Sequence, residues 1–378
     1  MRDLIEALEA WRREGVDAGR AVVVRTFGSA PRPEGAVLLR ADDGRLIGSV
    51  SGGCIEGAAT EQIAEARGTG LAKVIRYGIS DRQAWDVGLA CGGTIDVLIQ
   101  PRVSSAALNG AARPAAQSGG ATAVITPLPP DSPPSTAGPH ATGSGAEPEP
   151  ELIVGAGGEI VAGSTGSPEL DNLLASTASG FLREGRSQVV EVEGRAYFVE
   201  VYPVRPRLVV VGAVEVARPL IRYARDLGYE TVVVDGRSAF ATRERFPEAH
   251  RIEVAWPEDA FEAISVGQDD AVAILSHDPK FDEPAILEAV RRGCRYVGAV
   301  GSRATQVARR ERLADAGLTS EEIDSVRGPI GLDLGGRDPA ETALAIMAEI
   351  VALRHGGSGV PMKDRPRSTA SMKPDAPG

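Results

Sequence analysis

The sequence is poor in the residues that would mark several protein classes. Only 4% of its 378 residues are aromatic, and only three are cysteine: Cys54, Cys91 and Cys294. Three scattered thiols cannot build a disulfide framework, so a reducing cytoplasm is the expected compartment and any cysteine that matters acts as a thiol. Basic charge is also short. Lys plus Arg total 41 against 52 Asp plus Glu, a net charge of -11 with no basic run, which argues against a nucleic-acid partner. No apolar run approaches the roughly 20 residues that span a bilayer; stretches such as 208–211 and 271–275 are strand-length, and no membrane segment is expected. The opening MRDLIEALEAWRREG lacks a signal-peptide core and instead sets Leu4, Ile5, Leu8 and Trp11 on one face of a helix. What is present is an ordinary globular composition, 43% hydrophobic and 25% charged, at a length that fits two or three domains.

Composition shifts abruptly between Pro101 and Pro150, where Ala, Gly, Pro and Ser supply 33 of 50 residues and aromatics are absent. Such a stretch buries too little apolar surface to order itself, so 101–150 is expected to be a flexible insertion, with Ala121 to Thr126 (ATAVIT) as a short strand. Residues 357–378 have the same character and are expected to be a disordered tail. The segments flanking the insertion resemble each other. GRLIGS (44–49) precedes a helical pattern over 55–67 and a strand at 73–77; GEIVAGS (158–164) precedes a helical pattern over 170–182 and a strand at 188–192. The insertion therefore interrupts one domain, 1–204, built from a pseudo-repeat, with chemistry expected on the cysteine-bearing first copy.

From Arg207 onward β-branched runs alternate with amphipathic helices, which predicts an α/β fold with a doubly wound parallel sheet over 205–356. Expected strands are 208–211, 231–234, 251–254, 271–275 and 296–300, with helices starting near Val214, Glu258, Pro279 and Arg303. A last helix over 339–354 is announced by Asp338, Pro339 and Glu341 at its first turn. The first strand runs into Gly212-Ala213-Val214-Glu215-Val216, and the second ends at Asp235, 23 residues after Gly212. That spacing fits a dinucleotide fingerprint in which the acid meets ribose, but Val214 stands where a glycine normally lets the backbone approach pyrophosphate. Arg237 could instead meet a phosphate. NAD(P) as a working cofactor competes with a scaffold that holds something else or merely packs.

Unusual local chemistry lies at Ser51-Gly52-Gly53-Cys54 and at Cys91-Gly92-Gly93. Glycine pairs beside cysteine let backbone N–H groups converge on an anion while leaving the thiol accessible. Cys54 also sits where a helix begins, which favours thiolate over thiol and suits a nucleophile, a sulfur carrier or a soft-metal ligand. The competing interpretation makes both cysteines small packing residues in tight turns. A zinc site would need ligands gathered from remote loops. Cys294, just before a strand, is expected in the core. Arg32, between two prolines, is a preordered anion anchor or a solvated turn residue. His277 and Arg303 follow strands four and five, at the edge where open α/β sheets bind ligands, and Asp278 before Pro279 is expected to cap a helix.

Together these segments resemble the XdhC/CoxI family, the maturation factors of xanthine dehydrogenase and carbon monoxide dehydrogenase. The motifs are GSAPRPEGA (28–36), GSVSGGCIEG (48–57), CGGTIDVLIQP (91–101), VVVDGRSAFATRERFP (232–247), SHDPKFDEP (276–284), YVGAVGSR (296–303) and PIGLDLGGRDPAETA (329–343), in order across both domains. The resemblance implies an N-terminal XdhC domain, a C-terminal Rossmann domain, and a chaperone that binds molybdenum cofactor, assists its sulfuration with a cysteine desulfurase and delivers it to an apo-hydroxylase without oxidising xanthine itself. It places Cys54 nearest molybdenum or the transferred sulfur, then Cys91, with Gly52, Gly53, Gly92 and Gly93 as backbone donors, Arg32, Arg237 and Arg303 as anion-binding groups, and His277 and Arg303 on the Rossmann side of an interdomain cleft. The glycine-rich turn, often GAGHV in relatives, is GAVEV here. An NAD(P)-dependent oxidoreductase and a sulfurtransferase carrying a persulfide on Cys54 are the alternatives, and a homodimer is expected.

Overall fold

The computed structural model describes residues 4–78, 93–107, 120–130, 132–133, 145 and 151–364. The chain divides into two compact units, Met1–Val204 and Arg205–Gly378.

The N-terminal unit opens with helix α1 (Ile5–Arg13) and then repeats one motif. Strands β1 (Ala18–Phe27), β2 (Val37–Ala41), β3 (Leu46–Gly48), β4 (Lys73–Tyr77) and β5 (Thr94–Gln100) form an antiparallel sheet of order β3-β2-β1-β5-β4, with α2 (Glu56–Thr69) between β3 and β4. The second copy uses β6 (Thr122–Pro127), β7 (Leu152–Gly155), β8 (Ile160–Ala162), α3 (Pro168–Glu184), β9 (Gln188–Val192) and β10 (Arg195–Tyr202) in the matching order β8-β7-β6-β10-β9. Period-2 alternation along β1 shows how the layers form. Ala21 and Val23 pack in the cluster containing Ile63 of α2, while Ala18, Val22 and Val24 pack in the cluster containing Leu8 and Trp11 of α1 and Phe198 of the second sheet. Both faces are buried, so β1 reads as a nearly continuous apolar run.

The structure corrects the expected flexible insertion. Strand β6 lies within 101–150, is shifted one residue toward the C-terminus from ATAVIT, and is the central strand of the second sheet. Val103, Ala107 and Leu128 from the same stretch are buried in the core. The strand itself was legible, since Thr122, Val124, Ile125 and Thr126 carry the β-branched signal; the Ala-, Gly-, Pro- and Ser-rich flanks gave no sign that it is central to a sheet. Most of the remaining insertion, and 365–378 of the tail, lie outside the described residues.

In the C-terminal unit, β11 (Arg207–Val211), β12 (Glu230–Val234), β13 (Arg251–Glu253), β14 (Asp270–Ile274) and β15 (Tyr296–Ala299) form a parallel sheet of order β13-β12-β11-β14-β15. Leu208 and Val210 pack against α4 (Ala217–Asp226) and α9 (Pro339–His355). Val209 and Val211 face the opposite cluster, with α5 (Pro257–Ala263), α6 (Pro279–Arg291), α7 (Arg303–Asp315) and α8 (Ser320–Ser325). Helices on both faces make a doubly wound Rossmann-like sheet. Asp338 and Glu341 form the expected capping box on α9, and Asp278 accepts from the Lys280 amide as the N-cap of α6. Among the described residues no helix is long and apolar enough to cross a membrane.

Candidate functional site

In the N-terminal unit, strand register gathers three connections at one end of the first sheet. Phe27 pairs with Thr94 and Tyr77 with Ile95, so the end of β1, the end of β4 and the start of β5 are neighbours. The 28–36 loop returns beside Val23, whose amide donates to the Ala36 carbonyl at 2.9 Å. Ala30 of that loop, Val50 and Ile55 of the cysteine loop, and Tyr77 share one apolar cluster. Gly93 is required by close approach: a Cβ there would lie 2.4 Å from the Ser29 carbonyl oxygen. Arg32 is exposed on the 28–36 loop. The Tyr77 hydroxyl is buried with no hydrogen-bond partner among the described residues, and burial pushes its pKa up.

Glu56, at the first turn of α2, organises the cysteine loop. Its carboxylate accepts from Ser49 Oγ at 2.7 Å, the Ser51 amide at 2.9 Å and the Gly53 amide at 2.9 Å, and from the Ser51 hydroxyl. Partial burial opposes its ionisation, but these donors outweigh burial and hold the carboxyl down at about 2. Ser51 is buried and its Oγ receives the Cys54 and Ile55 amides, both at 3.0 Å. The Gly52 amide donates to Ser49 Oγ at 2.8 Å. The expectation of free amides at Gly52 and Gly53 is therefore corrected, because the loop's own side chains already use them. The Cys54 thiol remains exposed. The second copy repeats the bracing at the same seven-residue spacing: Asp171 accepts from Ser164 Oγ at 2.6 Å and from the Thr165 amide at 2.8 Å. Glu169 stands where the first copy has Cys54, so the thiol is confined to one of two equivalent scaffolds. The recurrence of Ser and an acid seven residues apart was a sequence signal for Glu56 that motif reading passed over. Cys91 and Gly92 lie outside the described residues.

In the C-terminal unit a cavity of about 530 Å³ opens at the carboxyl ends of β12, β13 and β14. Val214, Arg237, Trp256, His277, Asp278 and Phe281 line it. Gly212 brings the first turn against β14: its φ is +106°, and a Cβ there would sit 2.7 Å from the Ser276 amide. Asp235 does not offer a free carboxylate to ribose, which corrects that expectation. Its Oδ1 accepts from the Arg237 amide and Nε, both at 2.9 Å, and its Oδ2 from the Ala213 amide at 2.8 Å and Arg237 Nη2 at 2.7 Å. A carboxylate has about four acceptor positions, and these four donors take them. Burial raises the Asp235 pKa, but these donors outweigh it and leave the carboxyl below its ordinary range. His277 and Arg303 are exposed at strand ends, as their positions in the sequence predict; Arg303 does not line the cavity.

Behind the cavity Ser276 donates to Asp282, and Arg309 Nη2 donates to the same carboxylate at 3.2 Å, with all three side chains buried. Burial pushes the Asp282 carboxyl up to about 6 against the pull of Ser276 and Arg309. Ser276 and Asp282 fall inside the SHDPKFDEP segment, but motif reading assigned them no role there, and Arg309 and Trp256 lie in no motif. Cys294 packs beside the core, and burial pushes its thiol up to about 12. No group of three His, Cys, Asp or Glu side chains among the described residues is placed to hold a metal ion.

Comparison with known proteins adds relatives over both units. Residues 11–78 match the model of the XdhC and CoxI family, and 208–350 match that of the XdhC Rossmann domain. A protein of Bacillus subtilis (strain 168) named as a probable xanthine dehydrogenase subunit is 25% identical over 351 residues, 92% of this chain and 96% of the relative. The molybdenum cofactor insertion chaperone PaoD of Escherichia coli (strain K12) is 27% identical over 355 residues, 94% of this chain and 87% of PaoD. A crystal structure described as that of a xanthine dehydrogenase from Bacillus halodurans shares the fold, with a TM-score of 0.71, 24% identity and 98% of each chain covered.

Proposed function

This chain belongs to the XdhC and CoxI family, and from that premise we propose that it is a molybdenum-cofactor chaperone that binds the cofactor and hands it to an apo-hydroxylase of the xanthine or carbon monoxide dehydrogenase type. The observation that carries this reading is the exposed Cys54 thiol on a loop braced by Glu56. A carrier of a thiophilic metal needs a soft ligand that is presented and not buried, and preordering of the loop lowers the entropy lost on binding. Arg32, exposed at the same end of the sheet, supplies a cation for the phosphate of the pterin. With Gly52 and Gly53 amides committed to the loop, anion binding here falls to such side chains and not to a backbone cradle.

Cys54 also suits sulfuration. Its thiolate would take the outer sulfur of a desulfurase persulfide, releasing the desulfurase thiol, and present it to the bound cofactor. The rival activity, hydride transfer with NAD(P), is disfavoured by Val214 in the cavity wall and by the saturated Asp235. PaoD, a relative over most of this chain, is named as a cofactor insertion chaperone.

Anaerobic purification with fluorescence analysis of bound molybdopterin tests the reading. We expect pterin to co-purify with the wild type and to fall at least tenfold in Cys54→Ser with the fold unchanged. Equal retention by the variant would remove the thiol from the site, and no pterin in either would overturn the chaperone role.

A further inference from the structure

We propose that the N-terminal unit carries a second site, a cavity at the seam between the two copies of its repeat that binds a small α-amino acid, with the ammonium on Glu151 and the carboxylate on Gln100 and Arg102. The inference goes beyond the chaperone role and stands without it, because it uses no residue of the cysteine loop. The cavity has a volume of about 530 Å³, in the range of small-ligand sites. Leu98, Gln100 and Arg102 line it from the first copy, at the end of β5 and the turn after it, and Thr126, Pro127 and Glu151 line it from the second. Strand β5 starts beside the cysteine loop and ends here, so its seven residues, at about 3.3 Å each, set the cavity about 20 Å from the loops around Cys54.

The polar groups of the second copy call for a cation. Glu151 Oε1 accepts from Thr126 Oγ1 at 2.8 Å, while Oε2 is buried with no hydrogen-bond partner. Behind it, the fully buried Arg20 pairs with Glu200 at 2.9 Å, and Glu151 also acts on that guanidinium. Two carboxylates therefore share one guanidinium, and a buried carboxylate oxygen without a donor is costly. An ammonium group brings one positive charge and three donors, which meets both deficits. Glu151 is half-buried and its terminal torsion is soft, so a turn of the carboxylate gives one oxygen to Thr126 and the other to the ligand.

The first copy supplies the opposite chemistry. Gln100 is buried and its Oε1 accepts from Arg20 Nε at 2.6 Å, which orients the amide and leaves its N–H groups without a partner among the described residues. Two residues on, Arg102 is exposed, and its guanidinium likewise makes no hydrogen bond or ion pair among the described residues. Arg67, the other cation of the wall, is already held by Asp42, Asp17 and the Pro101 carbonyl. An unpaired amide and an unpaired guanidinium are donors suited to a carboxylate. Ala72, Leu98, Pro127 and Pro129 make the remaining wall largely apolar, which selects an amino acid with an apolar side chain.

A ligand with one charge meets only half of this site. A simple amine leaves the Gln100 and Arg102 donors unused, and a simple acid adds negative charge beside Glu151 without compensating it. Gln100 bonds Arg20, so occupancy of the cavity is linked to the ion pair that joins the two copies, and a ligand that binds the folded unit raises its melting temperature.

The test uses the full chain. Alanine, valine, leucine and methionine are titrated by calorimetry and by melting temperature, each beside its N-acetyl and its carboxamide form, with lysine and glutamate as charged controls. We expect at least one of the four to bind saturably, with a dissociation constant below about 1 mM, and its blocked forms to bind about tenfold more weakly, the order for losing one charged hydrogen-bond partner. Arg102→Ala, at an exposed position that leaves the fold in place, should weaken the parent amino acid about tenfold. Glu151→Gln keeps the side-chain shape, removes the charge and should weaken it to a similar degree. The proposal is overturned if none of the four saturates, if a blocked form binds as tightly as its parent, if lysine or glutamate binds more tightly than all four, or if either folded variant binds the parent as the wild type does.

Discussion

Arg20 and Glu200 meet between the two sheets of the N-terminal unit, Nη2 to Oε2 at 2.9 Å, with both side chains almost wholly out of solvent. Arg20 belongs to the first copy of the repeat and Glu200 to the second, and Gln100 takes the Nε donor at 2.6 Å. The pair ties the copies together at a defined register, with Tyr202 and Glu151 also close to the buried guanidinium.

Breaking that pair leaves a buried charge without its partner, which costs about 3–5 kcal/mol. Arg20→Met and Glu200→Leu should each lose stability of this order, while the double variant should lose much less than the sum. Urea denaturation of the four proteins measures the coupling. An additive double variant would mean that the two groups do not act on each other.

Acid sensitivity should trace in part to Glu56. Its folded pKa of about 2 lies below the ordinary 4.5, so the fold favours the ionised form. The stability this contributes is complete above about pH 4.5 and is lost progressively as pH falls toward 2. Melting temperatures measured from pH 7 to pH 2 should show a shallower acid decline for Glu56→Gln than for the wild type. Parallel curves would contradict the assignment.

Thiol chemistry should separate the cysteines. In a Cys91→Ser background, Ellman's reagent at neutral pH should titrate one thiol rapidly, because Cys54 is exposed, while Cys294 is held as an unreactive thiol by burial. Adding Cys54→Ser should abolish the fast phase. Rapid modification of Cys294 in the native protein would show that the core around it opens.

Gly212→Ala should destabilise the C-terminal unit by more than about 1 kcal/mol, since the left-handed φ of +106° is strained for alanine and the new methyl would press on the Ser276 amide. Chemical denaturation reports the loss. A neutral substitution would show that the turn can move away from β14.

Much of the architecture was legible because it rests on neighbours in the chain. Short β-branched runs marked the five strands of the C-terminal unit and, in the N-terminal unit, those near 73–77, 121–126 and 188–192, whereas β1, β2, β5 and β10 were not placed from the sequence. Asp278 before Pro279 and Asp338 before Pro339 and Glu341 marked the starts of α6 and α9, because a cap acts within one helical turn. The pseudo-repeat was visible as a recurring order of elements, and the family motifs lay in sequence across both units. Strand β6 was expected as a short strand, but its central place in the second sheet comes from pairing with β7 and β10, partners remote in the chain.

The candidate sites divide in the same way. Residue order alone determined that Cys54 lies just before a helix and Asp235 just after a strand. Only the folded chain decided that Glu56 fills the nest beside Cys54, that Arg237 closes over Asp235, and that Trp256, Phe281 and Arg237 share one cavity. Local propensity is set by residues a few positions apart, whereas hydrogen-bond satisfaction and cavity walls depend on groups that meet through packing and leave no period in the sequence.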